Sequence, residues 1–256
     1  TTLGADTFSI TVTAVDDAPV QVNNTGTTLN EAATQTITST LLDHSDADTA
    51  DTSLTYAVTS PLSNGQLELT TNPSVAITSF TQDDINNNRV VYVHDGSETL
   101  SDSFGFTLSD GNATLLADTF AITVTAVDDA PVQVNNTGTT LNEEATQTIT
   151  SAMLDHSDAD TSDTSLTYTV TSALTNGQLE LTTNPTVAIT SFTQDDVDNN
   201  RVIFVHDGSD TLTSGFDISP ADGGEDAAAA ATGTVTIGIT PVDDPPSLDT
   251  NAGITV

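Results

Sequence analysis

Apolar and short polar residues alternate one for one along most of this chain. Phe8, Ile10 and Val12 alternate with Ser and Thr, and Phe120, Ile122 and Val124 with Ala and Thr; Leu54, Tyr56 and Val58 and then Leu67 and Leu69 keep the same period. A period of two sends successive side chains to opposite faces of a strand, so each run predicts a strand with one buried face. Asn64-Gly65 and Asn176-Gly177 separate strand-like runs. That dipeptide tolerates the positive backbone angles of a two-residue turn, so both predict tight hairpins. The one helix-permissive stretch, Ala227 to Ala231, is too short to persist as a helix. The pattern is all-β.

The strands come in a long repeat. Val15-Asp16-Asp17-Ala18-Pro19-Val20 returns as Val127-Asp128-Asp129-Ala130-Pro131-Val132 and, modified, as Val242-Asp243-Asp244-Pro245-Pro246. The second positions, 16, 128 and 243, are 112 and then 115 residues apart, with the three extra residues assigned to the Ala-rich stretch from Asp226 to Thr232. Solenoid coils repeat every ~20–50 residues, so this period is a whole domain. Two complete domains are expected, at 18–129 and 130–244. Residues 1–17 read as the closing strand of a preceding repeat, because Ala5 to Val12 matches Ala117 to Val124, and 245–256 as the opening strand of a following one. The expected architecture is two β-sandwiches in series.

Charge narrows the function. The 256 residues carry 37 Asp and Glu against two Arg and no Lys, a formal net charge of −35. Such a chain repels nucleic-acid phosphate and anionic lipid and attracts cations. There is no cysteine. Disulfides are therefore unavailable, and metal is the natural alternative staple for small extracellular domains. No apolar run approaches the ~18 residues of a membrane span.

Other motifs support less. Asp84-x-Asn86-x-Asn88 with Asp95, and Asp196-x-Asp198-x-Asn200 with Asp207, follow the start of an EF-hand loop, but Arg89 and Arg201 stand where that loop needs Gly. A polar turn entering a strand explains both. Arg89 and Arg201 occupy equivalent positions, and each is expected to make a carboxylate pair inside its own domain. His44 with His156, and His94 with His206, are also equivalent. A catalytic site seldom repeats in register, so structural roles are expected for all four. Nucleophile elbow, phosphate-cradling loop and zinc-protease helix are all missing from the sequence, and no catalytic residue is assigned. The aromatic residues recur in pairs that accept Phe, Tyr or Ile interchangeably, as core positions do.

The run Ser45 to Tyr56, with its Asp46-x-Asp48 pair, and the segment Ile122 to Pro131 resemble the Asp-x-Asp and linker patterns of cadherins. Ser79 to Ile85, Val90 to Gly96, Asp102 to Phe104 and Ser109 to Gly111 resemble, more closely, the chondroitin sulfate proteoglycan type of cadherin-like repeat common in giant bacterial surface adhesins. The resemblance covers both repeats. It implies tandem Ig-like, cadherin-like Greek-key sandwiches with Ca²⁺ at the domain junctions, where several carboxylates from separate segments could supply its six to eight oxygens.

For the central junction it implies Glu31, Asp95, Glu98, Asp128, Asp129, Asp158, Asp160 and Asp222. For the leading junction it implies Asp16, Asp17, Asp46, Asp48 and Asp110, and for the trailing one Glu143, Asp207, Asp210, Asp243 and Asp244. The implied function is a calcium-stiffened extender of a secreted, cell-surface adhesin or extracellular fibre, projecting a distal binding region for cell adhesion or biofilm cohesion. The implied partners are calcium ions, neighbouring repeats and like chains in a fibre. The alternative is a calcium-dependent carbohydrate-binding sandwich, weakened by the lack of any Trp to form a sugar platform.

Overall fold

The computed structural model describes residues 1, 3–224 and 232–245. The chain divides into two compact units, Thr1–Val127 and Asp128–Val256. In the first, β1 (Val20–Asn24) pairs with β4 (Leu42–Ser45). A five-stranded sheet has the order β2 (Thr27–Asn30), β10 (Asp118–Thr125), β9 (Ser101–Ser109), β5 (Thr55–Ser60), β7 (Ser79–Thr81). A three-stranded sheet joins β3 (Thr34–Thr36), β8 (Val90–His94) and β6 (Gly65–Leu69). All pairings are antiparallel except β2 with β10, which is parallel.

The second unit repeats this plan. There β11 (Val132–Asn136) pairs with β14 (Leu154–Ser157). Its five-stranded sheet runs β12 (Thr139–Asn142), β20 (Gly233–Thr240), β19 (Thr213–Ala221), β15 (Thr167–Val170), β17 (Ser191–Thr193). Its three-stranded sheet runs β13 (Thr146–Thr148), β18 (Val202–His206), β16 (Gly177–Leu181).

Alternation decides which face is buried. In β10 Phe120, Ile122 and Val124 are buried while Thr119, Ala121, Thr123 and Thr125 are exposed. Tyr56, Phe80, Tyr92, Phe104, Phe106 and Phe120 fill the first core, and Tyr168, Phe192, Phe204, Phe216, Ile218 and Val235 take the equivalent places in the second. Tyr56 stacks on Phe80 at 4.7 Å and Tyr168 on Phe192 at 5.0 Å. Each such side chain contributes roughly 1.5–3 kcal/mol by leaving water. The paired aromatic positions are therefore core, with one exception. Phe8 is 91% exposed, and residues 5–12 form no strand. Their counterparts 117–124 are held by β9 and β2, whereas residues 5–12 pair with no strand among the described residues.

The hairpin expectation at Asn-Gly is also corrected. β5 and β6 flank Asn64-Gly65 but belong to different sheets, so the segment crosses between layers of the sandwich. Asn176 does take a positive φ of 64°. Gly26 marks the real tight passage, between β1 and β2. Its φ is +69°, and a Cβ there would lie 2.6 Å from the Ala121 carbonyl oxygen. Apart from Thr232 and Pro245, the extra residues assigned to 226–232, the helix-permissive stretch and the opening strand at 245–256 lie outside the described residues.

A short helix that the alternation did not predict follows β7. In α1 (Gln82–Asn86) the Thr81 side chain accepts from the Asp84 N–H, and Asp84 returns a bond to the Thr81 N–H. Arg89 then grips Asp84 at 2.8 Å and also bonds Asp83. α2 (Gln194–Asp198), Thr193, Asp196 and Arg201 repeat the arrangement. Each arginine thus holds two carboxylates of its own unit, and the apparent EF-hand start is a capped helical turn.

Candidate metal centres

β10 and its parallel neighbour β2 set the first position. Glu31 follows β2 and donates its N–H to Thr125 O at the far end of β10. The side chain is only 6% exposed, and its Oε2 has no hydrogen-bond partner. Ala32 comes next with φ 54° and donates its N–H to His94 Nδ1 at 3.1 Å, which also accepts from Gly96 N at 3.2 Å. With Nδ1 accepting twice, the His94 proton sits on Nε2, facing Thr99 Oγ1 at 3.2 Å. His94 thereby ties the Glu31 turn to the 95–98 turn that carries Glu98. The expected structural role for this histidine holds, and His206 repeats it with Glu144 N and Gly208 N.

In the second unit this corner forms a complete group. Glu143, 3% exposed, lies with Asp210 and Asp244 so that one ligand oxygen from each falls within 4.8 Å of the others. Both Glu143 oxygens are buried without a hydrogen-bond partner. Burying an unpaired carboxylate is unfavourable by several kcal/mol, and the two arginines are engaged elsewhere. A cation held there would satisfy all three carboxylates at once. Asp207 is outside this trio. Its Oδ1 accepts from the Ser209 hydroxyl and N–H, which hold its carboxyl below the usual range, and Asp95 does the same with Ser97. Asp243 is exposed beside Asp244.

A second acidic cluster forms at the opposite end of each five-stranded sheet, near the start of β10 and of β20. In the first unit Asp46 Oδ1 accepts from Asp48 N and Thr49 N, and Asp48 Oδ2 accepts from Asp17 N at 2.9 Å. Asp110 Oδ1 accepts from Ala113 N and Asn112 N, which hold its carboxyl below the usual range, while Asn112 Nδ2 reaches Asp16 at 2.8 Å. In both Asp46 and Asp110 the other oxygen, Oδ2, is buried and unpartnered. The second unit brings together Asp158, Asp160 and Asp129 through the same bonds, again leaving Asp158 Oδ2 unpartnered. Asp222 bonds Gly224 N, and a Cβ on Gly224 would fall 1.8 Å from Asp128 Oδ1, so only glycine lets Asp128 approach that turn.

Among the described residues, the orphaned buried carboxylate oxygens belong to Glu31, Asp46, Asp110, Glu143 and Asp158. The donor set is all oxygen, with one oxygen of each loop Asp tied to backbone and the other left open. Hard divalent cations, and Ca²⁺ in particular, suit such flexible carboxylate sets.

A cadherin-like family profile matches residues 19–124 and 131–238. This chain belongs to the cadherin-like family. Among relatives, it is 37% identical over 261 aligned positions to the human extracellular matrix organizing protein FRAS1, covering 96% of this chain and 6% of that protein. It is 32% identical over 217 positions to extracellular matrix protein 3 of Lytechinus variegatus, covering 84% of this chain and 7% of that one. Against human chondroitin sulfate proteoglycan 4 it is 33% identical over 174 positions, covering 66% and 7%. The chain thus spans a small part of these relatives' length, and the relatives named are animal proteins. Among solved structures, human mucin-like protocadherin EC1-2 covers 88% of this chain and 98% of its own, at 15% identity and a TM-score of 0.46.

The family match covers both sandwiches. No helix among the described residues is long and apolar enough to cross a membrane.

Proposed function

We propose that this segment is a pair of calcium-stiffened structural repeats in an extracellular, adhesion-type matrix protein. The observation that carries the reading is Glu143, buried with both oxygens unpartnered beside Asp210 and Asp244. The cadherin-like family and the matrix relatives support the extracellular setting. Those relatives lend no support to a bacterial adhesin or a biofilm, and neither is proposed. The linker carboxylates Asp128 and Asp129 are assigned to calcium along with the clusters above, so that ions limit bending between repeats. The repeats carry no catalytic role in this reading. The carbohydrate-binding alternative gains nothing from the structure, since every aromatic residue except Phe8 is buried.

The test is small-angle scattering of the parent and of an Asp128→Asn, Asp129→Asn variant, each in calcium and in EGTA. The variant in calcium should give the parent's EGTA profile, with each sandwich still folded by circular dichroism. Identical profiles for parent and variant in calcium would sink the stiffening mechanism.

A further inference from the structure

The two Asn-Gly steps are equivalent in sequence but differently restrained. In the first unit Asn64 is locked on every side. Its N–H donates to Asp102 Oδ2 at 3.0 Å and its side-chain amide to Ser101 O at 3.1 Å. Its carbonyl accepts from the Tyr92 hydroxyl at 3.0 Å and from Asp95 N at 3.1 Å. In the second unit Phe204 replaces the phenol and Ser214 replaces the carboxylate. Asn176 is left with two 3.3 Å bonds, from its amide to Thr213 O and from Asp207 N to its carbonyl, and it holds a left-handed φ of 64°. An Asn is strained there relative to extended backbone.

We infer that Asn176 is a site of spontaneous deamidation through a cyclic imide, and that Asn64 is protected. The reaction is intramolecular. The Gly177 backbone nitrogen loses its proton and attacks the Asn176 side-chain carbonyl carbon. The carbon–nitrogen bond to the amide breaks, and ammonia leaves with a proton from water. Water then opens the succinimide at either carbonyl, giving aspartate or isoaspartate, with no change of oxidation state. Glycine after asparagine favours attack because no side chain crowds the nitrogen.

Three differences direct the reaction to the second unit. The Asp102 carboxylate opposes deprotonation of the neighbouring backbone in the first unit, and Ser214 does not do so in the second. The four bonds on Asn64 hold its amide and backbone away from the attack geometry, and the long pair on Asn176 holds them less. Asn176 sits at φ 64° whereas Asn64 takes no positive φ; equivalent cavities open on Gly177 and on Gly65, so water access does not separate the two steps. Conversion to isoaspartate adds a methylene to the main chain beside the carbonyl that anchors Asp207.

The test incubates the whole chain in mildly alkaline buffer at physiological temperature and follows both Asn-Gly peptides by mass spectrometry, with isoaspartyl methyltransferase labelling. Asn176 should convert several-fold faster than Asn64 in the folded chain, and the difference should vanish in denaturant. A Ser214→Asp, Phe204→Tyr variant should slow Asn176 toward the Asn64 rate. Equal folded-state rates, or faster loss at Asn64, would overturn the inference. Loss at Asn176 that is undiminished in the double variant would overturn its physical cause. If that variant unfolds, the parent's folded-state ratio decides by itself.

Discussion

Glu143 sits at the end of β12 with 3% of its surface exposed and neither oxygen bonded, a position that folding alone does not favour. An unsatisfied buried polar group costs about 1–3 kcal/mol, and more when charged. Glu143→Gln removes the charge and keeps the shape. The variant should therefore unfold at a higher temperature than the parent in EGTA and at a lower one in calcium, the sign reversing because the same carboxylate is a liability empty and a ligand filled. Thermal melts of both proteins in both buffers check this, and a variant less stable in EGTA would show that Glu143 has an internal partner instead. His44 and His156 supply a second residue-scale prediction. The Tyr56 hydroxyl donates to Gln82 Oε1, so its oxygen accepts from His44 Nδ1 at 2.9 Å; Tyr168 and His156 repeat this at 3.0 Å. Burial holds both imidazoles below their ordinary 6.5. A depressed folded-state value means that their contribution is present above about pH 6.5 and is lost as pH falls through the folded value. In EGTA a His44→Gln, His156→Gln variant should lose less stability than the parent between neutral pH and pH ~5, read as the difference in urea midpoints. Parallel pH curves would refute the assignment of these two groups.

At the scale of elements, α1 and α2 are the features that alternation could not show, because a helix of one turn has no period to detect. The signal was present as Thr81-x-x-Asp84 before Ile85, a reciprocal cap of the kind that starts helices. Thr81→Ala should lower stability by about 1 kcal/mol, the usual loss for an N-cap, with the matching change at Thr193 additive because the two lie in separate units. Chemical denaturation measures it, and an unchanged midpoint would show that Arg89 alone holds the turn. The strands were legible for a different reason: Phe120, Ile122 and Val124 face one way because one face of a sheet is dry. Alternation reports that a strand has two unlike faces, but not which strand lies beside it. That is why Asn64-Gly65 read as a hairpin when β5 and β6 belong to different sheets. The same limit explains residues 5–12, whose pattern matches β10 although β10 owes its strand to β9 and β2. The loop Asp residues were legible from their repetition. The division of labour among them was not: Asp95 and Asp207 spend an oxygen on the serine two residues on, while Glu143, Asp210 and Asp244 converge from three separate segments.

Over the whole chain, 37 acidic side chains face two arginines that are already paired, and no lysine exists to balance the rest. Self-repulsion of this size weakens the folded state, and it can be relieved in two ways that experiment separates. Monovalent salt screens exposed charges over a Debye length of ~8–10 Å and acts on all carboxylates alike. A divalent ion bound only by the folded form adds stability by linkage, about 2.7 kcal/mol per site at 100 times its dissociation constant. For a domain of this size that corresponds to a rise in melting temperature on the order of 10 °C. The expected result is a large rise in millimolar calcium over EGTA at matched ionic strength, with magnesium giving less because its small octahedral shell fits converging carboxylates poorly. Glu143→Gln should lower the calcium gain of the second unit and leave that of the first. Scanning calorimetry can resolve the two if they melt apart. Should calcium and an ionic-strength-matched sodium salt give the same midpoint, the acidic clusters act through general repulsion alone, and the metal reading of Glu143, Asp210 and Asp244 fails with it.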